Sequence, residues 1–172
     1  MSKHRLWLSF AILTLLFVNG CISISSQSEN SKSVLKDSHI YIYLFHDICE
    51  GSCPVYSITI YEDGTVFYRG ELNVQTTGEV KSYISPSDLQ VLVNEILSLD
   101  ILGHYYATGI KDAATINMHI SIDGKHANVE NFGYDKRQQN GILTLACHID
   151  EITNSYYWTG KTPIDCDGLN GR

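Results

Sequence analysis

Hydrophobic and polar positions along this chain fall into several distinct rhythms, and each predicts a different kind of element. Leu6 to Val18 (LWLSFAILTLLFV) is a nearly unbroken apolar run preceded by Lys3 and Arg5. As a helix it would span about 20 Å, short of the roughly 30 Å hydrocarbon core of a bilayer. Ile22 to Asp37 (ISISSQSENSKSVLKD) is serine-rich and has no sustained period, so it is expected to be a flexible tether. From His39 the period becomes two. Ile40 to Phe45 is rich in branched and aromatic residues and predicts a strand. In Val55–Tyr61, Tyr56, Ile58 and Ile60 alternate with Val55, Ser57, Thr59 and Tyr61. Asp63-Gly64 then supplies the positive φ that a hairpin needs, and Thr65 to Arg69 returns. Gly70 to Tyr83 is expected to be one more strand, with a break near Gly78.

The period then lengthens. Ser85-Pro86-Ser87-Asp88 has the form of a helix start, with proline tolerated at the first helical position and an acid near the positive dipole end. Leu89, Leu92, Val93, Ile96 and Leu97 recur at three and four and define one buried helix face, which should fade between Leu99 and Gly103. A similar passage follows: Ile116, Met118, Ile120 and Ile122 alternate with polar residues, Asp123-Gly124 turns the chain, and Lys125 to Phe132 returns. Gly141 to Ser155 predicts the last helix, with Ile142, Leu145, Ala146, Ile149 and Ile152 on one side. The predicted class is therefore α+β: an antiparallel sheet of about six strands, built from hairpins, with two helices on one face. Residues 57–64 and 119–124 look alike, so a duplicated hairpin-plus-helix unit is a second way to describe the same pattern.

Composition bounds what such a domain can do. With 172 residues, 44% apolar and 18% charged, the chain suits one globular body, expected over residues 38–161 and followed by a tail at 162–172. The formal charge is −7, and removing a leader that carries Lys3, Arg5 and no acid takes it to −9. Nucleic acid is not an expected partner, because phosphate binding needs clustered Lys and Arg, and Lys136-Arg137 is the only adjacent basic pair.

The leader has a specific ending. Val18-Asn19-Gly20-Cys21 resembles the lipobox of bacterial lipoproteins, in which a small residue precedes a cysteine that receives diacylglycerol. That resemblance implies a signal peptide over residues 1–20, cleavage before Cys21, lipidation of its thiol, and a tether over 21–37. Two or three acyl chains hold a protein far more firmly than one. The expected address is the cell envelope, on a membrane through the lipid anchor. Ile22 in place of an aspartate leans toward an outer membrane, facing the periplasm, if the host is Gram-negative.

A second likeness begins at Cys49-Glu50-Gly51-Ser52-Cys53-Pro54-Val55-Tyr56. With Asp63-Gly64, Tyr68, Gly70, Gly78 and Ile84-Ser85, and later Asp123-Gly124-Lys125, Ile149-Asp150 and Trp158 to Gly160, this string resembles the bacterial family designated domain of unknown function 6438. The likeness runs from His39 to Gly160. It implies an exported or lipid-anchored domain and assigns no reaction. Asp112-Ala113-Ala114 departs from the more polar or proline-containing link expected there.

Cys49 and Cys53 are the sharpest chemical feature. In an oxidising compartment a disulfide between them is the leading expectation. Closing so short a loop contributes only about 2 kcal/mol, but it shapes the turn before Pro54. Two alternatives use the same thiols. One is a redox-active pair, although the spacing is C-x3-C and a strand, not a helix, follows. The other is a zinc or copper site from His46, Cys49, Cys53 and His148. Cys147 and Cys166 form a second candidate disulfide, with a buried free thiol at Cys147 the alternative. Asp165 to Gly171 has a faint calcium-loop flavour but lacks the closing glutamate. No catalytic motif spans the scattered histidines. Tyr105-Tyr106 and Tyr156-Tyr157-Trp158 either pack over a sheet edge, the preferred expectation, or form an exposed patch. Together these features point to a non-enzymatic binding or structural module of the envelope that takes no cofactor and meets another envelope component. A thiol-redox or metal-handling protein built on Cys49 and Cys53 is the alternative.

Overall fold

The computed structural model describes residues 39–108, 114–133 and 141–161. The first strand, β1 (Ile40–His46), suits the centre of the sheet: Ile40, Ile42 and Leu44 on one face are apolar, and Tyr41, Tyr43 and Phe45 on the other are aromatic. Ile40, Ile42 and Leu44 are buried, while Tyr41, Tyr43 and Phe45 lie half-buried on the other face. β1 pairs antiparallel with β2 (Val55–Tyr61) on one side and with β6 (Thr115–Ile122) on the other. β3 (Thr65–Leu72) and β4 (Gly78–Tyr83) extend the first side, and β7 (Lys125–Gly133) and β5 (Tyr105–Ala107) extend the second. The resulting seven-stranded order is β4-β3-β2-β1-β6-β7-β5, antiparallel throughout except for the β5–β7 pair. The α+β class is as the sequence predicts.

Three boundaries differ from expectation. The sheet has seven strands, because the tyrosine pair at 105–106 belongs to a three-residue parallel strand at the edge, too short to carry a period of its own. The stretch from Gly70 to Tyr83 is two strands: β3 runs on to Leu72, and Asn73 then takes a positive φ of 56° that ends it. The final helical passage also divides. The two look-alike hairpins flank β1 but close differently. Asp123-Gly124 is a two-residue loop with both φ values positive, whereas Glu62-Asp63-Gly64 is a three-residue loop with the positive φ at Gly64.

α1 (Pro86–Ser98) begins where Ser85 accepts a hydrogen bond from the Asp88 N–H at 3.1 Å, with Pro86 in the first turn. That cap satisfies one of the orphan donors of a helix start. Leu89, Leu92, Val93 and Ile96 of α1 join Ile142, Leu145, Ala146 and Ile149 of α2 (Ile142–Thr153) over the inner face of the sheet. Each fully buried side chain of this layer contributes about 1.5–3 kcal/mol relative to exposure. His148 of α2 and Glu95 of α1 meet at 2.8 Å and clip the helices together. α2 stops at Asn154, whose left-handed φ of 57° turns the chain into the short α3 (Tyr156–Thr159). Among the described residues, no helix is long and apolar enough to cross a membrane. The predicted signal peptide and tether, Cys21 included, and the C-terminal tail lie outside the described residues.

Candidate functional site

The sheet has two faces with different chemistry. On the inner face, one carboxylate lies where the helix-to-sheet contact would otherwise be apolar. Asp150 follows Ile149 on α2 and is 1% exposed. Its Oδ2 lies 2.9 Å from His46 Nε2, at the last residue of β1. Its Oδ1 accepts from the Tyr56 hydroxyl at 2.8 Å and from the Ser155 hydroxyl at 2.5 Å. The left-handed turn at Asn154 is what brings Ser155 back, and its N–H also bonds the Asp150 carbonyl at 3.1 Å. His46 and Tyr56 stack, with ring centroids 4.5 Å apart. Tyr56 touches Tyr68 at 5.6 Å, and Tyr68 touches Trp158 at 5.0 Å. Burial, reinforced by the Asp150 charge, pushes the Tyr68 phenol up to about 12.

This hub resembles a hydrolytic triad in composition only. A serine nucleophile needs the imidazole as its partner, with the acid behind the imidazole. Here serine and histidine both bond the acid, and Ser155 is fully buried. Its effect is cohesion: one carboxylate joins β1, β2 and the turn between α2 and α3.

The disulfide loop lies directly beyond the hub. Residues 47–54 connect His46 to Val55, and the structure holds Cys49 and Cys53 bonded, with Cα atoms 5.7 Å apart. Lys161 Nζ donates to the Ser52 carbonyl at 2.6 Å, and Asn73 Nδ2 donates to the Cys53 carbonyl at 3.1 Å. Thus the loop is tied to the chain beyond α3 and to the end of β3. β2 follows it directly, so among the described residues neither cysteine sits at the start of a helix. The proposed metal set is not brought together. His46 is taken by Asp150, His148 by Glu95, and the two thiols by each other. Among the described residues, no group of three or more His, Cys, Asp or Glu is placed to hold a metal ion. Cys147 is buried on α2 and disulfide-bonded, while Cys166, its suggested partner, lies outside the described residues, as does the stretch 165–171.

The outer face carries no packed helix among the described residues. Its middle row crosses the sheet from Phe67 through Thr59, Tyr43, His119 and Asn128 to Tyr105. The row toward the Asp-Gly hairpins contains Tyr61, Tyr41, Ser121 and His126. The row toward the disulfide loop contains Arg69, Ser57, Phe45 and Asn117. The three central strands β2, β1 and β6 place no carboxylate, ammonium or guanidinium on this face. That is unusual for a chain carrying 19 acids and 12 basic residues. Burial, with Tyr61 and Tyr43 as neighbours, raises the Tyr41 phenol above its ordinary range, and burial raises that of Tyr43, so both remain neutral hydroxyls.

At the hairpin end of this face, Tyr41, Tyr61 and Phe67 form a row of edge-to-face rings. Their centroids are 5.7 and 6.0 Å apart, with ring planes at 74° and 87°. They floor an open groove of about 640 Å³ rimmed by His39, Glu62, Asp63, Thr65, Lys81 and Ser121. The sequence flagged the other aromatic residues instead, and these divide. Trp158 packs on Tyr68, and Tyr105 bonds Glu130 at the sheet edge, while Tyr157 is 64% exposed on α3. Asp150 was legible only as part of a family string. Its signal was an acid placed beside the apolar stripe of the last helix.

A family model described as Domain of unknown function (DUF6438) matches residues 40–153. That span runs from the first residue of β1 to the last of α2, and so takes in all seven strands and both long helices. No curated protein matches the chain.

Proposed function

The chain belongs to the DUF6438 family, and from that premise we propose that it is a binding module of the cell envelope, held on a membrane by lipid at Cys21 and turning the outer face of its sheet toward another envelope component. The observation that carries this reading is the uncharged centre of that face, made of aromatic, hydroxyl and amide side chains. An outward sheet face that serves only to be wetted is ordinarily polar and charged, with a clean apolar-in, polar-out alternation. Here the outward positions of β1 are Tyr41, Tyr43 and Phe45. Recognition surfaces are enriched in aromatic side chains and depleted of charge at their centres. Tyrosine, serine and asparagine together give large rigid contact area and adaptable hydrogen bonding. The lipobox-like Val18 to Cys21 supports the anchor, and the serine-rich 21–37 would let the domain present either face at a distance from lipid.

The test is position-resolved photo-crosslinking in intact cells. A photoreactive residue replacing Tyr43, at the centre of the outer face, should give discrete adducts. One replacing Val91, which is exposed on α1, should give none. Equal adducts from both sites, or none from Tyr43, would reject the outer face as the binding surface. Fatty-acid labelling of the native chain that disappears in Cys21→Ser tests the anchor separately.

A further inference from the structure

Taking the outer face as the binding surface, we propose that the groove floored by Tyr41, Tyr61 and Phe67 binds an uncharged pyranose chain. The charged groups around the groove stand on its rim, each with a neighbour in reach. His39 Nδ1 faces Glu62 Oε2 at 3.3 Å. Asp63 accepts from the Thr65 N–H at 2.8 Å and from its hydroxyl at 2.9 Å. Lys81 Nζ rests over the rings of Phe67 and Tyr83, 5.6 and 5.3 Å from their centroids. Between these groups the groove offers the neutral hydroxyls of Tyr41, Tyr61 and Ser121, and the ring surface of Tyr41 and Tyr61, since Lys81 lies over Phe67.

A ligand complementary to that set needs an apolar face to lie on the rings and a periphery of uncharged donors and acceptors. A pyranose has both. Its axial C–H groups form a weakly positive face that suits the negative face of an aromatic ring. Its equatorial hydroxyls reach outward to pair with tyrosine and serine hydroxyls. An anionic polymer would meet two carboxylates, Glu62 and Asp63, against the single ammonium of Lys81, on a chain at −7 as a whole. The groove's volume of about 640 Å³ also falls in the range of small-ligand sites, about 300–1,000 Å³. A sugar chain running along the face could continue past the groove toward His119 and Asn128, which bond each other at 2.6 Å.

The experiment is calorimetric titration of the full chain, purified with its lipid in a sugar-free zwitterionic detergent. The probes are tetramers of N-acetylglucosamine and of glucose. Binding of either supports the inference, and the one that binds identifies whether an acetamido group is required. Affinity should be unchanged, within about twofold, across a tenfold rise in salt, because no ion pair forms. Tyr61→Ala should weaken binding at least about tenfold and Tyr61→Phe less than about threefold, whereas Tyr157→Ala on α3 should leave it unchanged. Absence of binding by the native chain, or a Tyr61→Ala chain that binds normally, would overturn the inference. If the tetramers fail but the Tyr43 crosslinker still captures a protein, the glycan assignment falls and the outer-face reading stands. If both fail, both fall.

Discussion

The two faces of one strand show how differently a protein treats polar groups it seals inside and polar groups it leaves half-exposed. On the inner side of β1, His46 has a fixed partner, and Asp150 has three donors. On the outer side, Tyr41 and Tyr43 keep neutral hydroxyls, and their rings are only half-buried. The inner arrangement is costly to disturb, because an unpaired buried charge has no water to turn to. The outer one can lose a member with little effect on folding. The contrast is therefore measurable as a division between stability and binding.

The largest effect should come from Asp150→Ala, which strands His46, Tyr56 and Ser155 together. We expect a loss of about 3–5 kcal/mol in denaturant unfolding. A loss under about 1 kcal/mol would mean that the hub is not cohesive. Next, replacing both Cys49 and Cys53 by serine should cost about 2 kcal/mol, as a short closed loop predicts. Limited proteolysis should then find the loop between His46 and Val55 cut before any strand. A third effect concerns alkaline conditions. Tyr68 titrates near 12 in the folded protein, above the ordinary phenol value, so its unfolded form ionises first. Stability should be unaffected by this group below about pH 10 and fall between about pH 10 and 12, and Tyr68→Phe should flatten that limb. The smallest change in stability should be Tyr43→Ser, below about 1 kcal/mol for the loss of cross-strand packing. The same substitution should remove most of the contact surface at the centre of the outer face. A Tyr43→Ser chain that unfolds like Asp150→Ala would erase the distinction between the two faces.

Much of the architecture was legible because its elements carry their period over many residues. β1, the two Asp-Gly hairpins and both long helices each carry one apolar stripe, and those stripes form the core, except that Leu97, expected on the buried face of α1, is 53% exposed at its end. β5 was not legible, since three residues cannot show a period and its partner β7 follows it in sequence. The break after Leu72 rests on a positive φ at Asn73, which a polar residue in a strand-like stretch does not announce. The hub was hidden for another reason. His46 and Asp150 are 104 residues apart, and local spacing gives no hint that they meet. Proximity in sequence instead suggested His46 with Cys49 and Cys53. The outer groove was half-visible: alternation puts its residues on one side of each strand, but only strand order makes Tyr41, Tyr61 and Phe67 neighbours.

Strand order also limits which pairings can form before the whole chain is present. β1 shares one long edge with β2, which follows within nine residues of its end, and the other with β6, whose first residue is Thr115. A polypeptide delivered amino end first can therefore zip β1 through β4 into a meander and lay α1 across it. All that time the backbone of Ile40 to His46 has an open side, since its remaining partners have not yet emerged. The second hairpin must arrive before a stranger does. Until β6 pairs with it, β1 presents a bare edge of the kind that can template pairing with a sister copy.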